Sequence, residues 1–137
     1  VKIDRKLFCL AALILSVAFL FPGCSTGTGE SGTGLLVLYT IPVDGGNVSR
    51  DAVISVVFNK DIDERTISGD SFYLTDSGGN RVPGTIEYLA ANRRLTFTSE
   101  NYYEIGETYS VYLTTAIKST DSINLAREYI FNFTVNN

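Results

Sequence analysis

The feature that most limits what this chain can fold into is a two-residue alternation of apolar and polar side chains. Thr108 to Thr115 sets Tyr109, Val111 and Leu113 against Ser110, Tyr112 and Thr114. Ala52 to Phe58 sets Ile54, Val56 and Phe58 against Ser55 and Val57. That period belongs to a strand with one face on a core, and residues 35–137 hold no segment of helical period. A slip of one residue would turn Ile54, Val56 and Phe58 outward, so the register is strongly specified.

Five further stretches read as strands. Leu35 to Tyr39 is an apolar run ended by Pro42, and the turn Asp44-Gly45-Gly46-Asn47 follows it. Ser71 to Thr75 points Phe72 and Leu74 inward and precedes the strong turn signal Asp76-Ser77-Gly78-Gly79-Asn80. Val82 to Leu89 carries Pro83 near its start, which suits an edge strand. Arg94 to Thr98 points Leu95 and Phe97 inward, and Tyr129 to Val135 does so with Phe131, Phe133 and Val135. Between these runs, Asn59 to Asp70 is polar, with Ile62 and Ile67 turned inward from one helical turn. Glu100 to Glu107 is a corner with Gly106 at positive φ. Ile117 to Arg127 is a second polar loop. Seven short strands divided by turns predict an all-β fold, an antiparallel immunoglobulin-like β-sandwich. A small closed barrel is the alternative that strand count leaves open.

The first 23 residues follow a different logic. Lys2, Arg5 and Lys6 precede an apolar run of 15 residues, Leu7 to Phe21, broken by Ser16. A membrane-spanning helix needs about 20 residues, so the run fits the h-region of an export signal better than a permanent span. Gly23 then Cys24 closes it in the manner of a bacterial lipoprotein signal, in which the cysteine takes up lipid (palmitate among its acyl chains) and becomes the mature N-terminus. Phe21 and Pro22 depart from the usual residues of that motif. Val1 is read as a non-AUG start decoded as methionine. Residues 25–34, STGTGESGTG, offer nothing to bury and read as a flexible tether with a reach of roughly 15–20 Å. The domain plan is therefore residues 1–23 as signal, 24–34 as lipidated cysteine and tether, and 35–137 as one domain.

Charge and residue absences narrow the function classes. The chain carries −4, and residues 1–23 hold Lys2, Arg5, Lys6 and Asp4, so −6 remains on the rest. Such a domain is a poor partner for nucleic acid or for an anionic membrane surface. The chain has no His and no Met, and its two cysteines are Cys9 and Cys24. A domain over 35–137 thus lacks a disulfide, the common base–nucleophile pairs and the preferred zinc ligands. Acid pairs for glycoside chemistry remain, but they sit in loops and on outward faces, where solvated charge is the ordinary reading. No enzyme activity is expected.

The order and spacing of several motifs carry a resemblance. They are Pro42-Val43-Asp44-Gly45, Val48-Ser49, Ile54-Ser55-Val56-Val57-Phe58-Asn59-Lys60-Asp61-Ile62-Asp63, Leu95-Thr96-Phe97-Thr98, Gly106-Glu107-Thr108-Tyr109-Ser110-Val111 and Phe131-Asn132-Phe133-Thr134. Together, over about residues 41–135, they resemble the bacterial Ig-like domain of S-layer (SbsA) type. Ser99 stands where that family has a proline, and Ile123 where it has a glycine before asparagine. The resemblance implies a surface module that serves as spacer or adhesive unit, without shared catalysis.

The leading expectation is a lipid-anchored cell-envelope lipoprotein with a non-catalytic, structural or adhesive Ig-like module. Its partners are the membrane, through the lipid on Cys24, and an envelope protein or a surface glycan. Ser25 after the cysteine favours the outer membrane if the cell has one. The alternative is a carbohydrate-binding accessory module, for which Tyr73, Tyr102, Tyr103 and Tyr112 occupy outward or corner positions; tyrosine's strand propensity is the competing explanation. No cofactor is expected apart from a candidate calcium site. The loops Asn59–Asp70 and Ala116–Glu128 should share one end of the sandwich, bringing Asn59, Asp61, Asp63 and Asp121 together as oxygen ligands. Lys60, Arg65 and Lys118 are the cations that would neutralise the same patch without metal.

Overall fold

A computed structural model describes residues 34–137, which form one compact unit. The expectations for the signal, Cys24 and most of the tether fall on residues 1–33 and lie outside the described residues. Eight strands make two four-stranded sheets. They are β1 (Val37–Ile41), β2 (Gly46–Val48), β3 (Ile54–Phe58), β4 (Phe72–Thr75), β5 (Gly84–Leu89), β6 (Arg94–Ser99), β7 (Thr108–Leu113) and β8 (Tyr129–Val135). One sheet runs β1-β3-β6-β5 and the other β2-β8-β7-β4. The Ig-like sandwich read from the alternation is the observed fold.

Two features extend that reading. The seven expected strands become eight, because Gly46 and Asn47, read as part of a turn, begin the three-residue β2. Its pairing with β8 is parallel, from Gly46 opposite Phe133 to Val48 opposite Val135, so the sandwich is not wholly antiparallel. Asp44 Oδ1 accepts the Asn132 amide at 2.9 Å, and the Gly45 amide donates to Asn132 O at 2.8 Å. The turn thus docks on β8 before β2 begins. The first strand also starts two residues later than expected. Leu35 is instead a single bridge to Leu125, fully buried.

The core lies between the sheets. Ile54, Val56, Phe58, Phe97, Val111, Phe131 and Phe133, which the alternation turns inward, are all buried. Ser55 and Val57, on the other face of β3, are buried as well. That strand is central: Tyr39 and Ile41 of β1 flank Val57 and Ser55 on one side, and Arg94 and Thr96 of β6 on the other. The edge position inferred from Pro83 holds, since β5 ends its sheet. Gly106 has φ +85 in the corner before β7, where the Tyr109 hydroxyl accepts the Glu104 amide at 3.0 Å. Glu64–Thr66 is one 3-10 turn, N-capped by Asp63, with Ile62 buried and Ile67 packed against the core.

Candidate functional site

The two polar loops do meet at one end of the sandwich. The Asp63 amide donates to Lys118 O, the Thr120 amide donates to Asp61 O, and Ile62 bridges Ser119, all within 2.9 Å for the two hydrogen bonds. Each nominated ligand there is engaged by protein. Asp61 Oδ1 accepts Arg93 Nε at 2.9 Å. Asp63 takes Arg65 through both carboxylate oxygens, at 2.9 and 2.8 Å. Asp121 Oδ2 accepts Lys60 Nζ at 2.9 Å. Asn59 does something else: its Oδ1 accepts the Leu36 amide at 2.8 Å and its Nδ2 donates to Gly34 O at 2.9 Å. With the Asn59 amide on Leu36 O, it clasps the chain where it enters the domain.

Among the described residues, no group of three or more His, Cys, Asp or Glu is arranged to hold a metal. Of the three cations expected to neutralise this end, Lys60 and Arg65 do so through their side chains, whereas Lys118 meets the site through its carbonyl and makes no ion pair among the described residues; Arg93 takes the third place, which the sequence did not suggest. Its backbone is left-handed, φ 51, closing the Ala90–Asn92 turn, and that turn aims the guanidinium back at Asp61 and Asn59 O.

The electrostatics describe fixed charges. The Arg65 hydrogen bond holds the Asp63 carboxyl below the usual range, and the Lys60 hydrogen bond does the same for Asp121. Ser49 lowers Asp51 and Asn80 lowers Asp76 in the same way. A general acid needs its pKa held up toward neutrality, and these carboxyls move the other way. Burial pushes Tyr103 up, with Tyr109 adding to the shift, but its hydroxyl is enclosed and unpartnered. An open groove of about 460 Å³ lies between edge strands β4 and β5, with Phe72, Val82, Ile86 and Phe97 below and Arg81 at its rim. Arg81 is already placed over the Tyr73 ring and bonded to Gly69 O.

The tyrosines divide. Tyr73 and Tyr112 are direct cross-strand partners, with ring centroids 4.9 Å apart and planes 13° apart. That spacing equals the distance between strands, so the rings stand up from the sheet and cover each other's faces. The Arg81 guanidinium lies 3.5 Å from the Tyr73 centroid, on the same stack. Tyr102 is exposed beside Arg50, whose guanidinium is 4.6 Å from its ring. Tyr103, expected in an outward or corner position, is at the corner but buried, packed on Tyr109 and Phe133 with its amide donating to Arg50 O.

Residues 32–135 match the sequence profile of the family described as bacterial Ig-like domain, Big_5. No curated protein matches the sequence. Among solved structures, the S-layer protein SbsC is similar over 78% of this chain, at 20% identity and TM-score 0.58; the match covers 14% of the SbsC chain. PcoC, a methionine-rich copper resistance protein of Escherichia coli, is similar over 74% of this chain and 98% of its own, at 15% identity and TM-score 0.61. CopC of Methylosinus trichosporium OB3b is similar over 74% and 93%, at 19% identity and TM-score 0.58. These likenesses are of fold. Copper does not fit the donors here: the chain has neither Met nor His, and Cys9 and Cys24 lie outside the described residues.

Proposed function

The chain belongs to the bacterial Ig-like domain family, and from that premise we propose that it is a non-catalytic cell-envelope module, structural or adhesive, anchored by lipid on Cys24. The observation that carries the anchor is Gly23-Cys24 at the end of the apolar run, followed by ten residues without a bulky apolar side chain. The fixed, neutralised carboxylates and the buried Tyr103 support a role without acid–base chemistry. The family supports a place in the envelope, and Ser25 favours the outer membrane in a cell that has one. Labelling cells with a palmitate analogue tests the anchor: the wild-type chain should take up label and Cys24→Ser should not. A wild-type chain that stays unlabelled and soluble removes the lipoprotein reading.

A second reading, a glycan-binding accessory module, draws on Tyr73 and Tyr112 standing side by side, with Ser110, Asn132 and Thr134 on neighbouring positions of β7 and β8. In such a site the ring edges and hydroxyls, rather than open ring faces, would meet the sugar. A glycan array separates the readings, since a spacer or protein adhesin leaves every glycan blank. Binding that disappears in Tyr112→Ala would favour the glycan reading.

A further inference from the structure

The edge strand β1 exposes more apolar surface than its fold requires. Leu36 just before it and Leu38, Tyr39 and Ile41 within it are exposed, as are Val43 and Val53 beyond its far end. Leu35 to Val43 contains no charged residue, whereas edge strands are ordinarily blunted by charge. One row of residues runs across the outer face from Tyr39 through Val57 and Arg94 to Leu89, which is also exposed. Arg94 makes no ion pair among the described residues, and its buried Nε has no hydrogen-bond partner there. Although the domain is acidic overall, this apolar strip contains no acid and has an unpaired guanidinium beside it.

The geometry points to a phospholipid surface as its occupant. This rests on the lipid-anchor reading above. Read as a tether, the ten residues between Cys24 and Leu35 would reach roughly 15–20 Å and so hold Leu36 and Leu38 of an anchored domain within reach of the bilayer. The chemistry fits an interface: aliphatic side chains for the acyl boundary, Tyr39 for the headgroup level and Arg94 for a lipid phosphate. A second copy added edge to edge fits less well. The irregular pairing between Val37 and Tyr39 and the proline at 42 interrupt the backbone ladder that strand addition needs.

The test uses the full chain, lipidated in cells and reconstituted into phosphatidylcholine–phosphatidylglycerol vesicles that contain a phospholipid with a diazirine high on its acyl chain. Photo-adducts located by fragmentation mass spectrometry should fall on residues 36–43 several-fold more often than around Ile130, an equally exposed residue of the opposite sheet. Leu38→Asp with Ile41→Asp changes exposed side chains only, so the melt should hold while adducts drop several-fold and flotation with vesicles persists. Arg94→Gln should lower adducts in the mixed vesicles more than in phosphatidylcholine alone. A floating wild-type chain with even labelling overturns the inference and leaves the anchor standing. Residues 36–43 free of lipid adducts, with a Leu38→Cys chain oxidising to a disulfide between copies, overturn it in favour of self-association. A wild-type chain that does not float overturns the anchor instead; a Cys9→Ser chain coupled through Cys24 to a maleimide lipid then decides the surface by the same two labelling patterns.

Discussion

Asn59 shows how a residue legible as polar can be illegible in role. Its place in the loop with Asp61 and Asp63 marks it as an oxygen ligand, but its amide is used on Gly34 O and the Leu36 amide. Only the register of β1 on β3 puts those groups within its reach, and no local pattern encodes that. Asn59→Ala should cost about 1–2 kcal/mol, for two hydrogen bonds that water partly replaces. The check is a urea titration together with faster amide exchange at Leu36; a change confined to metal response would contradict the clasp. Gly84 is a packing glycine: a Cβ there would overlap the Phe97 ring and sit 2.6 Å from Thr98 O. Gly84→Ala should therefore lose about 1–3 kcal/mol in the same titration. Tyr103 was legible as aromatic and misplaced as to exposure, because the fold of the 100–107 corner sets its burial. Its raised pKa gives a sign: its contribution to stability is whole below the ordinary tyrosine value near 10 and falls as pH climbs above that toward the folded value. Stability of Tyr103→Phe should fall less steeply than wild type above that pH, and parallel profiles would contradict the assignment.

Strands with alternating faces could be read from the sequence, since the period is local and β3, β6, β7 and β8 each carry it. β2 could not, because it is three residues long and its partner lies at the far end of the domain; parallel pairing at that separation leaves no turn signal. The loop departure at Ile123 is resolved at this scale as well. The left-handed residue is Ser122, φ 65, and Ile123 packs on the core, so no glycine is required at 123. The juxtaposition of the loops after β3 and β7 follows from sandwich topology and is observed. What fills it was legible only as a list of charges, because the Arg93–Asp61 pairing depends on one left-handed backbone position. With Asp61, Asp63 and Asp121 each held by a cation, thermal melts in EDTA, millimolar calcium and millimolar magnesium should coincide. A calcium-specific rise of several degrees would show that the ion pairs yield to metal.

At the scale of the molecule, a domain without a disulfide depends on its core and, in the proposed account, on an anchor outside the fold. Phe58 and Phe133 are fully buried in opposite sheets, and either one changed to alanine should cost about 3–5 kcal/mol. That is a large part of a typical stability of about 5–15 kcal/mol, so expression at ambient temperature should fall as the melt does. In the proposed account, the N-terminal chemistry is the claim that defines the protein's working state. It is tested most directly by the intact mass of the protein purified from the membrane fraction of its own cells. The account predicts a chain that begins at Cys24 and carries the added mass of a lipidated cysteine, with the unlipidated Cys24→Ser precursor as reference. A mature chain that begins elsewhere, or one of unmodified mass in the soluble fraction, would contradict it.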